Sequence, residues 1–246
     1  MFRLDNKIVI VTGAARGLGA AIARLLAAQG ARVALADLRL DELPIVARDC
    51  GEAARCYQVD VAQVAQLRQL VADVVRDFGR IDILVNNAGI CPRLPFADST
   101  EEDWEKLMGV NARSQYFLMQ GVCPIMKTQG GGRIINIAST GGRTGSFANA
   151  SIYSGTKGAI VMFSKSAARE MAAAGILINC IAPGVLDTDL VRNLPPERIN
   201  AICETIPLKR LGRPEEVAAL VVFLASDECS YCTGATFDIN GGWLML

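Results

Sequence analysis

Residues 8–19 read Ile8-Val9-Ile10-Val11-Thr12-Gly13-Ala14-Ala15-Arg16-Gly17-Leu18-Gly19, and an alanine-rich stretch follows. Four apolar residues in a row before Thr12 suit a strand covered on both faces. The glycines can permit a tight turn, close approach of backbone to a pyrophosphate, and close packing of a helix on the sheet. Phosphates would then sit on the helix N-terminus. Three glycines alone describe any tight turn. The strand–turn–helix context points to a dinucleotide, held by Gly13, Arg16, Gly17, Leu18 and Gly19.

Outward from this loop, short β-rich runs alternate with longer helical stretches. Strands are expected at 8–12, 32–36, 54–59, 81–85, 133–138, 176–182 and 235–239, and helices at 18–29, 40–51, 61–78, 100–127, 151–174 and 214–226. Strand–helix alternation implies parallel strands joined by right-handed crossovers. The expectation is an α/β fold: one Rossmann-type, doubly wound domain over 1–246, with about seven parallel strands and helices on both faces. Ser99 and Glu102 read as a capping box for the fourth helix. Pro214, Glu215 and Glu216 suit a first turn. The stretch 184–209, with Pro195, Pro196 and Pro207, is long for a connection and reads as a lid or substrate loop.

Composition narrows the chemistry. The 246 residues carry 25 basic and 25 acidic side chains, a net charge of zero. That balance disfavours nucleic-acid and anionic-membrane partners. There is no histidine, so Ser-His-Asp hydrolysis, Cys-His proteolysis and His-ligated zinc are excluded, and no metal site is expected. Proton chemistry must use Tyr, Lys, Cys or a shifted carboxylate. Eight cysteines read as small buried hydrophobes in a reducing compartment, with Cys229 and Cys232 as a CxxC whose minor reading is a redox pair. The opening residues carry no signal-peptide pattern, and the longest apolar run, 217–225, is too short to span a bilayer. A soluble, cytoplasmic protein is expected.

Candidate functional residues fall at the carboxyl ends of the expected strands, where open α/β sheets bind ligands. Asp37 ends the second strand and is placed to accept hydrogen bonds from adenosine ribose hydroxyls. Asp60, with Val61 beside it, ends the third. It reads equally as an adenine-edge contact or a helix N-cap. Asn86, Asn87, Ala88 and Gly89 follow the fourth strand and can close the cofactor crevice. Ser139 ends the fifth. Tyr153 and Lys157, four apart, share a helix face. Gly109 and Asn111 are poor mid-helix choices, and such rule-breaking marks Asn111 as functional.

These residues together resemble the classical short-chain dehydrogenase/reductase family over essentially the whole chain. The glycine loop is residues 12–19, the Asn-Asn-Ala-Gly element is 86–89, and the catalytic tetrad is Asn111, Ser139, Tyr153 and Lys157. Pro183 and Gly184 with Thr188 match the family's cofactor-contacting turn. Asn240-Gly241-Gly242 is similar to its near-terminal element, with Asn for the usual Asp. The resemblance implies that Tyr153 exchanges a proton with the substrate oxygen and that Lys157 lowers the Tyr153 pKa and holds the nicotinamide ribose. It also implies that Ser139 bonds the substrate oxygen and that Asn111 anchors a relay water. It implies a homo-oligomer, tetramer or dimer, and the apolar segments 217–224 and 243–246 would bury surface between subunits or in the core.

The expected reaction is hydride transfer between NAD and a secondary alcohol or ketone, with Asp37 arguing for NAD. An NADPH-dependent 3-oxoacyl thioester reductase is the rival, to which Arg16 and Arg39 give weak support. A catalytically silent nucleotide sensor is the remaining alternative. Pocket walls are expected from 91–96, 140–143, Phe147, Asn149 and 184–209, with Gly141 beside the site. Arg93 and Arg143 read either as solvent-facing or as contacts for an anionic substrate.

Overall fold

The computed structural model describes residues 1–145 and 149–246, with the Leu190 side chain left out. Seven strands form one parallel sheet in the order β3-β2-β1-β4-β5-β6-β7. They are β1 (Ile8–Thr12), β2 (Arg32–Asp37), β3 (Arg55–Gln58), β4 (Ile83–Asn86), β5 (Gly132–Ile137), β6 (Ile176–Pro183) and β7 (Thr236–Ile239). The strand order reverses between β1 and β4, whose register pairs Val9 with Ile83 and Val11 with Val85. A crevice opens at such a reversal.

The strands are apolar because both faces are covered. Val9 and Val11 pack with Ile22 and Leu26 of helix α1 (Gly17–Ala28). Ile8 and Ile10 face the opposite core, with Leu67, Leu70 and Val74. Each such side chain, fully buried, contributes about 1.5–3 kcal/mol. Helices α2 (Leu43–Cys50) and α3 (Val64–Phe78) complete the first half. Both start three residues after the expected points. In α2, Pro44 sets the start.

The expected fourth helix is broken. It comprises α4 (Glu101–Leu107), a π-helical turn (Met108–Arg113) and α5 (Ser114–Thr128). The capping box shifts by one residue. Thr100 Oγ1 accepts from Asp103 N at 3.1 Å, and Asp103 Oδ2 accepts from Thr100 N at 3.0 Å. Ser99 instead donates to the Pro95 carbonyl, closing the preceding turn. Beyond β5 come α6 (Gly141–Thr144) and α7 (Ser151–Met171). The stretch expected as a loop carries two helices, α8 (Asp189–Arg192) and α9 (Pro196–Thr205). Finally α10 (Pro214–Ala225) packs on α1. Val217, Val221 and Leu224 are buried within this chain, which decides the core reading for that segment. Among the described residues no helix is long and apolar enough to cross a membrane.

Candidate active site

Thr12 ends β1 and clasps the loop after β4. Its Oγ1 accepts from Asn87 N at 3.0 Å and Ala88 N at 3.1 Å. Asn87 Nδ2 returns bonds to the Thr12 and Gly13 carbonyls. A Cβ on Gly19 would overlap the Gly13 carbonyl oxygen, and one on Gly13 (φ +66°) would lie 2.9 Å from Ala88 Cα. Helix α1 has no side-chain cap and no acid in its first turn. Its first N–H groups therefore remain donors for an anion. Thr188 Cγ2 lies 3.8 Å from the Cβ position of Gly17, so the turn after β6 faces the glycine loop across the crevice.

Asp37 is buried at the end of β2. Its Oδ2 accepts from Ala15 N at 3.0 Å and its Oδ1 from Arg39 N at 3.1 Å. The Arg39 guanidinium is bonded to Glu42 at 3.0 Å, and Arg16 is exposed. Asp60 and Val61 are half-buried after β3. The N-cap alternative for Asp60 fails. Gln63 occupies that position, and Asp60 Oδ1 instead accepts from Ala62 N at 2.9 Å in the turn before the helix. The uncapped α1 terminus, the glycines that a Cβ would fill and the Asp37 carboxylate fit a dinucleotide.

The residues that the sequence marks for proton transfer gather on the other side of the crevice. Lys157 is buried, and its Nζ donates to the Ile137 carbonyl at 2.8 Å. It lies 5.8 Å from the Tyr153 ring centre, one helical turn earlier on α7. Ser139 accepts from Gly141 N at 3.1 Å and hydrogen-bonds Tyr153. Burial pushes the Tyr153 phenol up to about 12, and the Ser139 bond opposes that rise. Burial also pulls the Lys157 ammonium down to about 8. The lowering of Tyr153 by Lys157 is therefore not seen in the free site. The desolvation cost of a phenolate is the larger effect, and the ammonium is engaged by Ile137.

Asn111 sits in the π turn, fully buried. Its Oδ1 accepts from Ile90 N at 2.8 Å, and its Nδ2 donates to Ile90 O at 2.9 Å and Thr156 Oγ1 at 3.1 Å. It thus ties the loop after β4 to α7. Single π turns are frequent at functional sites. A Cβ on Gly89 would come within 3.2 Å of Asn111 Oδ1.

Three of the four expected tetrad residues, all but Asn111, border a cavity of about 450 Å³. Ser139, Tyr153 and Lys157 line it, as do Leu18 of α1 and Asn87 and Gly89 after β4. Pro183, Gly184 and Thr188 close another edge, and Arg93 and Gly141 also reach it. Arg143 does not. It pairs with Asp238 of β7 at 3.2 Å, so it is neither a pocket contact nor a solvent-facing surface group. Asn149 is exposed in a left-handed conformation (φ +50°), and its carbonyl accepts from Leu94 N. Phe147 lies outside the described residues. Trp243 and Leu244, not expected in the site, both line the cavity. Their only signal was an apolar chain end.

A family model described as enoyl-(acyl carrier protein) reductase matches residues 13–244. The chain belongs to the short-chain dehydrogenase/reductase family. It is an oxidoreductase of a family that works with a nicotinamide nucleotide. Galactitol 2-dehydrogenase of Agrobacterium fabrum is 37% identical over 98% of this chain and 99% of that protein. The 3-oxoacyl-[acyl-carrier-protein] reductase of Thermotoga maritima is also 37% identical, over 99% and 100%. The crystal structure of gox2181 superposes with a TM-score of 0.95 at 34% identity, covering 98% of this chain and 97% of that one.

Proposed function

We propose that this short-chain dehydrogenase/reductase interconverts a secondary alcohol and a ketone with NAD(H), using Tyr153 as proton acceptor and donor. The observation that carries the reading is the Ser139–Tyr153–Lys157 cluster, bordering one cavity with the Pro183–Thr188 turn. The α1 terminus and glycine loop are placed to hold the pyrophosphate. Asp37 takes the adenosine ribose, with Asp60 and Val61 at the adenine edge. When bound, the nicotinamide supplies or accepts the hydride. Ser139 orients the substrate oxygen toward the Tyr153 hydroxyl. In reduction Tyr153 gives its proton to that oxygen, and in oxidation it takes the proton back. Lys157 holds the nicotinamide ribose, and Asn111 positions the loop that bears Gly89. The active form in this reading is a homo-oligomer, a tetramer or dimer, and a single species near the chain mass of 26.2 kDa in sedimentation would overturn that part.

Cofactor choice rests on Asp37. A 2′-phosphate beside its carboxylate, ~5 Å away at an effective dielectric of ~20, is opposed by about 3 kcal/mol before screening. NAD is expected to exceed NADP by about two orders of magnitude in kcat/KM. Asp37→Ala is expected to weaken NAD and bring the ratio toward unity. A wild-type preference for NADP overturns the assignment. It would promote the second reading, an NADPH-dependent reductase of 3-oxoacyl thioesters, which the similarity to the Thermotoga maritima protein favours.

A further inference from the structure

One wall of the cavity plays no part in the proton and hydride chemistry. It comes from the chain end, where Trp243 and Leu244 face the same space as Leu186 and Val191 of the segment after β6. What brings them there is Asn240. After β7 the chain turns through Gly241 (φ +65°) and Gly242 (φ +84°). Asn240 Oδ1 accepts from Gly242 N at 3.0 Å and Leu244 N at 3.4 Å, while its Nδ2 donates to Leu244 O at 3.0 Å. The turn is also tied to its surroundings. Leu208 N donates to Gly241 O at 3.2 Å, and a Cβ on Gly184 would meet Asn240 Cβ at 2.9 Å. A carboxylate at position 240 could accept but could not donate, so the bond to Leu244 O requires the amide.

Two polar side chains at the cavity, Asn87 and Thr144, are turned to backbone carbonyls. Asn87 Nδ2 is turned to the Thr12 and Gly13 carbonyls, and the single Thr144 hydroxyl proton lies between the Gly145 carbonyl at 3.2 Å and the Thr140 carbonyl at 3.4 Å. Leu186, Val191 and Leu244 offer no side-chain hydrogen-bond partner, and Trp243 only its indole N–H. A polyhydroxylated chain lying there would leave hydroxyls desolvated and unpaired.

We propose that Asn240 is a positioning residue that latches the C-terminal turn, so that Trp243 and Leu244 form an apolar substrate wall. This wall selects secondary alcohols and ketones bearing an apolar chain over polyols. The inference rests on the oxidoreductase reading above and deepens it.

The test compares hexan-2-ol with galactitol as substrates with NAD, in the wild type and in Trp243→Ala, Trp243→Phe and Asn240→Asp. Wild type is expected to favour hexan-2-ol by about 100-fold or more in kcat/KM. Trp243→Ala is expected to lose about tenfold on hexan-2-ol, mainly through KM, with galactitol changed less than about threefold. Trp243→Phe is expected to keep most of the preference. Asn240→Asp is expected to follow Trp243→Ala at about fivefold, with NAD affinity unchanged. Trp104 is the other of two tryptophans, so in a Trp104→Phe background Trp243 reports alone. Its emission is expected to be quenched by hexan-2-one and to shift to the red in Asn240→Asp. A wild type that prefers galactitol, or a Trp243→Ala ratio within about twofold of wild type, overturns the proposal. So does Trp243 emission that Asn240→Asp leaves unchanged. If neither alcohol turns over with NAD or NADP, the function reading has failed. Quenching by hexan-2-one then still decides whether the wall exists.

Discussion

Tyr153 experiences two opposed influences, and their balance makes a pH prediction. Burial raises its pKa to about 12, while the hydrogen bond with Ser139 favours the phenolate and lowers it. Oxidation needs the phenolate, whose fraction grows as pH rises toward the pKa. Alcohol oxidation should therefore climb with pH, while ketone reduction, which needs the phenol, should fall off only at high pH. Ser139→Ala removes the lowering bond, so the oxidation profile should move to higher pH. A profile unmoved by this change would remove Ser139 from that role. Tyr153→Phe should lose about 10²–10⁴ in rate, with cofactor affinity within severalfold of wild type. The two arginines should separate. Arg143 bonds Asp238 at 3.2 Å with both side chains about three-quarters buried, so Arg143→Ala should lower Tm and leave KM alone. Arg93 lines the cavity, and Arg93→Ala should raise KM for an anionic substrate by a factor corresponding to about 1.5–3 kcal/mol. Equal KM changes in the two variants would contradict the division.

At the scale of elements, the β1–α1 turn is the most demanding. Gly19→Ala places a methyl against the Gly13 carbonyl, and either the turn or the helix must shift. Dinucleotide binding should be lost to calorimetry while the circular dichroism spectrum stays near wild type. Retained binding would mean that the α1 terminus does not hold the pyrophosphate. The β1–α1 boundary was readable because apolar run, glycines and alanine-rich helix follow one another without a break over residues 8–23. The π turn was readable only as an anomaly. Gly109 and Asn111 signalled that something was irregular, but the reason lies in Ile90 and Thr156, which take the three Asn111 side-chain bonds. The capping box moved by one residue because two hydroxyls, Ser99 and Thr100, competed, and Pro95 gave Ser99 another partner. Local pattern cannot rank such alternatives, since both satisfy the same spacing.

For the whole molecule, binding of the cofactor to the folded state alone should raise stability. At 100 times the dissociation constant the gain is about 2.7 kcal/mol. For a chain of this size that shifts Tm by about 5–10 °C. NAD should therefore raise Tm at concentrations where NADP has little effect. An equal response to both would argue against Asp37 as the discriminating group.

The sequence by itself determined the strand–helix alternation, the parallel sheet, the glycine loop and the Tyr153–Lys157 pair. Each depends on contacts within a few residues, or on the periodicity that two buried sheet faces impose. Only the tertiary structure decided three other matters. Arg143 turned to Asp238 because β7 lies beside β6, 95 residues further along the chain. Asp37 bonds Ala15 because β2 lies beside β1. Trp243 and Leu244 reached the cavity because Asn240 folds the chain end back over the turn after β6. These are pairings between distant segments, and nothing in the local sequence encodes which partner a side chain will meet.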